Sequence, residues 1–109
     1  MNMMDLFGKM REVQAKMKEA HENLGNIYTT GESGAGMVSV KVNGLKQIVE
    51  MNIDQDLLKP EDKEMVQDLI IAAVNKAMAE AEVLAKEEIR KSTGGLLPNI
   101  PGLDLGNLV

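Results

Sequence analysis

Apolar residues recur through the first part of the chain at alternating three- and four-residue steps. Met3, Leu6, Met10, Val13, Met17, Ala20 and Leu24 form a seam of heptad spacing. The spacing predicts a helix over residues 3–24, about 33 Å long at 1.5 Å per residue, with Gly25 as its stop. A seam this long and narrow calls for a partner helix, from the same chain or from another copy. From residue 26 the period changes to two. Residues 26–30 read as a short strand, and the run Gly31-Glu32-Ser33-Gly34-Ala35-Gly36 reads as a flexible connection. Val38, Val40 and Val42 then alternate with polar residues. Asn43-Gly44 follows as a hairpin signal, because both central residues of a type I′ turn need positive φ. Leu45, Gln47, Val49, Met51 and Ile53 alternate on the return strand. A two-residue turn would set Val42 against Leu45, Val40 against Gln47 and Val38 against Val49. It would also set Lys41 against Lys46, a mildly unfavourable like-charge pair.

After a connector over 54–58, Pro60 is a good first helical position. The pattern predicts a second helix over 61–91, about 46 Å long. Glu61, Asp62 and Glu64 near its start and Lys86, Arg90 and Lys91 near its end both suit the helix dipole. Its apolar stripe is broad early, through Met65, Val66, Leu69 and Ile70, which suits covering a sheet. Later it narrows to alanines, which suits close helix–helix approach. Gly94-Gly95 ends it. The rest is interrupted by Gly and Pro and reads as a tail that cannot be helix or central strand. The fold class is therefore α+β: helix, three antiparallel strands and a long helix as one domain over 1–91, with a flexible tail over 92–109.

Composition narrows the chemistry. At 109 residues the chain has room for one modest core. Its two aromatic residues, Phe7 and Tyr28, are too few for a base-stacking reader of single strands. With no cysteine there are no disulfides, zinc thiolates or thiol nucleophiles, which fits a reducing cytoplasm. No apolar run reaches the roughly 20 residues of a membrane span, and the N-terminus lacks the pattern of a secretory signal. The net charge of −5 argues against a simple electrostatic nucleic-acid binder.

Local motifs exclude more than they assign. The glycines at 31, 34 and 36 are followed by a strand, whereas a phosphate loop opens a helix. Asp54-Gln55-Asp56 starts like a calcium loop, but Lys59 stands where the sixth position needs glycine. His21 is the only histidine, so no transition-metal site is expected. No nucleophile–base pair assembles, and neither an enzyme, a cofactor nor a small-molecule substrate is expected. The first helix is more informative. Lys9 and Lys16 lie seven apart on one flank of the seam, and Arg11 and Lys18 lie seven apart on the other. Asp5, Glu12 and Glu19 are expected on the opposite face. These cations either meet phosphates or pair within the helix, as Asp5–Lys9 and Glu12–Lys16. Lys86, Arg90 and Lys91 carry the same ambiguity, with Glu82 and Glu87 as partners.

Several segments together resemble the YbaB/EbfC family of bacterial nucleoid-associated proteins. They are Thr30-Gly31-Glu32-Ser33-Gly34-Ala35-Gly36-Met37-Val38, then Val40-x-Val42-Asn43-Gly44, Ile53-Asp54, Leu57-Leu58, and Asp68-Leu69-Ile70-x-Ala72-Ala73-x-Asn75-x-Ala77. The Met-rich first helix and the Gly/Pro-bearing tail are also similar. Lys76 departs from the family, which often has Asp there, and adds a positive charge.

The resemblance implies a tight homodimer whose helices project like tweezers and bind duplex DNA in the cytoplasmic nucleoid, without catalysis. Carried onto this chain, the candidate DNA-facing residues are Lys9, Arg11, Lys16, Lys18, Lys86, Arg90 and Lys91. Met10, Val13, Met17 and Leu24 are the candidates for dimer or seam packing. With weak basic patches and few side chains suited to base edges, binding is expected to be weak, salt-sensitive and poor in sequence readout. The alternative is a dimeric protein–protein interaction module that holds a protein partner through its leucine-bearing tail and does not bind DNA.

Overall fold

A computed structural model describes residues 2–94. Helix α1 spans Met3–Leu24, and the Asn2 side chain caps it by accepting the Asp5 N–H at 2.9 Å. Strands β1 (Tyr28–Ser33), β2 (Val38–Asn43) and β3 (Ile48–Ile53) form an antiparallel sheet in that order. Helix α2 spans Lys63–Thr93. The expected α-β-β-β-α order is therefore present. The tail expected to hold a protein partner lies, from residue 95 on, outside the described residues.

The core forms where α2 crosses the sheet. Val38, Val40 and Val42 point inward from β2 and pack, with Leu57, against Ala73, Ala77 and Ala81 of α2. Small residues on the helix and β-branched residues on the strand bring the two backbones close. Gly31 of β1 completes the contact, because α2 passes directly over it. Ser33, nearly buried, donates to the Leu69 carbonyl at 2.6 Å and fixes the helix over that strand. Lys76 donates to the Glu32 carbonyl at 3.1 Å, so the added positive charge has a structural partner at the rim of β1. Helix α2 lies over β1 and β2. The inward side of β3 stays open: Val49 is 48% and Met51 39% exposed, and Ile71 on the adjoining flank of α2 is 58% exposed.

Three expectations need correction. First, Gly31-Glu32-Ser33 belongs to β1, and the connection is the tight turn after it. There Gly34, Ala35 and Gly36 all take positive φ. Gly31 is a point of close approach inside a strand. Secondly, Asn43-Gly44 does not form a two-residue hairpin. Val42 faces Ile48, Val40 faces Met51 and Val38 faces Ile53, with a bulge between Lys41 and Val42. Lys41 faces Glu50 instead of Lys46, and its ammonium sits 4.7 Å from the Tyr28 ring centroid. The left-handed residue of this connection is Lys46, at φ 62°. Gly44 serves another purpose. Its N–H approaches the Leu24 and Ile27 carbonyls, each at 2.9 Å, and a Cβ there would meet the Leu24 oxygen at 2.8 Å. The dipeptide ties the end of α1 to the sheet. Thirdly, Pro60–Asp62 forms a separate 3-10 turn before α2, and α2 runs two residues past 91 to a left-handed Gly94 cap.

Asn43 is the polar hub of the β2–β3 connection. Its Oδ1 accepts from the Leu45 N–H at 2.9 Å and the Gln47 N–H at 3.1 Å, and its Nδ2 donates to Gln47 Oε1 at 2.8 Å. Asn43 is 5% exposed, so these groups have little access to water. Asn43→Ala is expected to cost about 2–3 kcal/mol, through part-buried donors left without acceptors. Urea denaturation at fixed protein concentration measures it, and a loss below about 0.5 kcal/mol would remove Asn43 from that role.

Candidate nucleic-acid interface

Beyond the sheet, α1 and α2 continue together as an antiparallel two-helix arm. Ala20 and Leu24 of α1 bury against Ala85 and Ile89 of α2, with Met17, Ile27 and Leu45 around them. The inner half of the seam thus finds its partner within the same chain. Leu24 is fully buried there, Met17 packs beside it, and Val13 is half-buried further out. Met10 is 51% exposed.

A hydrogen bond sets the sides of the arm. Asn23 donates to Glu88 Oε1 at 3.4 Å, and Ser92 donates to the same oxygen at 3.0 Å. An α-helix turns about 100° per residue. That rotation puts Lys9 and Lys16 on the Asn23 side of α1. It puts Arg11 and Lys18 roughly 160° away from them. In an antiparallel pair the Glu88 flank of α2 shares the Asn23 side of α1. Lys91 belongs to that side, and Lys86 and Arg90 belong to the other. Lys18 and Arg90 lie at about the same height along the arm.

The seven sequence-predicted cations therefore do not form one patch. One face carries Lys9, Lys16 and Lys91 among Asp5, Glu12, Glu19 and Glu88. The acidic row stands beside Lys9 and Lys16, and Lys16 pairs with Glu19 at 3.8 Å where the sequence suggested Glu12. The other face carries Arg11, Lys18, Lys86 and Arg90, with His21 nearby in the α1 pattern. Its near-side carboxylate is Glu82, which pairs with Lys86 at 3.6 Å as the spacing predicted. Arg11, Lys18 and Arg90 are exposed, and Lys86 is half-buried. Formal neutrality of α1 thus hides a separation of charge across the arm. Heptad spacing was enough to separate the rows within α1. Which α2 cations join each row depends on the antiparallel register, and no local sequence signal carries that.

No other chemistry competes with this arrangement. Among the described residues no group of three or more His, Asp or Glu side chains is placed to hold a metal ion. Asp54, at the start of the rejected calcium loop, instead caps a short turn by accepting the Asp56 N–H at 2.8 Å. No described helix is long and apolar enough to cross a membrane.

Comparison with known proteins agrees with this fold. A nucleoid-associated protein of Chlorobaculum parvum is 41% identical over 96 residues, 88% of this chain and 85% of the relative. Another from Chlorobium phaeobacteroides is 43% identical over the same shares. One from Afipia carboxidovorans is 39% identical over 107 residues, 95% of this chain and all of the relative. The crystal structure of an uncharacterised Helicobacter pylori protein superposes with a TM-score of 0.72 at 33% identity, covering 80% of this chain and 91% of that one. The model of the YbaB/EbfC DNA-binding family matches residues 1–96, nearly all of the described fold, and the chain belongs to that family of nucleoid-associated proteins.

Proposed function

We propose that the protein binds duplex DNA as a homodimer in the nucleoid, weakly and with little sequence readout, and contributes to nucleoid organisation. The observation that carries this reading is the cationic face of the arm, Arg11, Lys18, Lys86 and Arg90, in a chain of a DNA-binding family. Long flexible cations on a helix surface suit phosphate contact, which positions a protein on DNA without reading its bases. Screening at physiological salt acts over about 8 Å. A duplex on that face therefore responds to the local cations more than to the −5 carried by the whole chain.

The open side of the sheet supports the homodimer. Val49, Met51 and Ile71 form an apolar surface that continues outward from the valine core, and a second copy of the same surface covers it symmetrically. Two arms then engage one duplex, and each contact on one protomer is repeated on the other.

One titration tests both claims. Fluorescence anisotropy of a labelled duplex, followed at several salt concentrations, is expected to give a log–log slope of about −4 to −5, as for four to six phosphates. Val49→Asp with Met51→Asp is expected to give a protomer-mass particle by light scattering and to halve that slope. A retained dimer would discard this surface as the interface, and no binding at ~50 mM salt would discard the DNA reading.

A further inference from the structure

The seam of α1 is only half used by α2. Its inner residues meet Ala85 and Ile89, and α2 then stops at Thr93 with Gly94 as its left-handed cap. Past that level the apolar face of α1 continues through Val13, Met10, Leu6 and Met3. Leu6 is 50%, Met10 51% and Met3 71% exposed, and Phe7 beside them is 52% exposed. A shallow apolar cleft of about 280 Å³ runs along Lys9, Met10, Val13 and Gln14. An exposed stripe of this kind at the end of a packed seam marks a surface that something covers.

We propose that the chain's own segment 95–109 covers the outer half of the α1 seam, as a non-helical strap that continues the path of α2. Three observations single out this occupant. The segment begins where α2 ends, against the point at which the seam becomes unpartnered. Its composition fits: seven of its 15 residues are Leu, Ile or Val, and Asp104 is its only charged residue. Pro98 and Pro101 keep it from extending α2 as a helix. Its reach is ample, since 15 extended residues span about 50 Å and the seam from Met17 to Met3 is about 21 Å long. The tether also sets an effective concentration on the order of millimolar, which favours the chain's own segment over a second copy or a free protein. The strap would turn the single-layered tip of the arm into a two-layered one and leave both rows of lysine and arginine at its sides. This inference rests on the α1–α2 packing and is independent of DNA binding.

Two measurements on the full chain test it. In the first, Leu96, Leu97, Ile100 and Leu103 are all replaced by serine, and amide hydrogen exchange is followed across α1. Residues 6–13 are expected to exchange at least tenfold faster than in the parent, with residues 17–24 unchanged. Equal exchange along 6–13 overturns the proposal. The second uses the absence of native cysteine. Met10→Cys is combined with Leu103→Cys and treated with a short bismaleimide. A crosslinked product of single-chain mass on a denaturing gel supports the chain's own strap. A product of two-chain mass, or no product, overturns it.

Discussion

Gly31→Ala is expected to remove about 3–5 kcal/mol of stability, most of what a domain of this size holds in reserve. The cause is a backbone approach. A Cβ at Gly31 would fall on the Ala73 carbonyl oxygen and within 2.6 Å of the Ala77 backbone nitrogen. Neither is the end of a flexible side chain, so relief requires α2 to lift off β1. Lifting would open the Val38, Val40 and Val42 contact with Ala73 and Ala77 and break the Ser33–Leu69 hydrogen bond. Overpacking a core by one methyl commonly costs 1–3 kcal/mol, and a collision with main chain lies at or beyond the top of that range.

Gly8→Ala supplies the control, because nothing lies within 4 Å of a Cβ there and the residue is on the exposed outer part of α1. Removing a helix-interior glycine is expected to stabilise by about 0.5–1 kcal/mol. Urea midpoints of both variants at matched protein concentration decide the matter. If Gly31→Ala unfolds within about 1 kcal/mol of the parent, the helix does not bear on that glycine as described.

The same glycine shows why the sequence was legible in some places and not in others. Helix α1 was readable residue by residue, because its seam repeats a single local rule over three heptads. The inward face of β2 was readable because alternation survives any choice of turn. The strand pairing was not. Asn43-Gly44 has the composition of a two-residue hairpin, but Gly44 is held by the end of α1, a segment about twenty residues earlier in the chain. Gly31 looks like a breaker until a helix more than forty residues later is laid across it. In both cases a tertiary approach requires the glycine, and local turn rules mistake the reason. The candidate site divides in the same way. Its residue types and heptad rows were visible. The grouping of Arg11 and Lys18 with Lys86 and Arg90 follows from an antiparallel register fixed by buried Ala20, Leu24, Ala85 and Ile89.

That grouping leads to the largest functional effect. Two triple variants remove the same charge from the protein: Arg11→Gln, Lys18→Gln and Arg90→Gln on one face, and Lys9→Gln, Lys16→Gln and Lys91→Gln on the other. Any effect of net charge alone is identical in the two. A phosphate contact contributes a slope of about 0.9 in log affinity per decade of salt, or close to eightfold at 0.1 M relative to 1 M. If the first triple removes two contacts per protomer, a dimer loses four, and affinity at 0.1 M should fall on the order of a thousandfold. Its salt slope should flatten by between 3 and 4, by the same rule (roughly). The second triple should change affinity by less than about threefold, because a duplex on that face meets Asp5, Glu12, Glu19 and Glu88 as well as the lysines. Anisotropy titrations of the parent and both variants at three salt concentrations distinguish the faces, with light scattering to verify an unchanged particle mass. Equal losses from both triples would mean that the duplex contacts both sides of the arm. A loss confined to the second would place DNA on the acidic side and overturn the assignment. The comparison also bears on how a chain of net charge −5 binds a polyanion. Its carboxylates need not be few if α1 and α2 together turn them away from the surface that the duplex approaches.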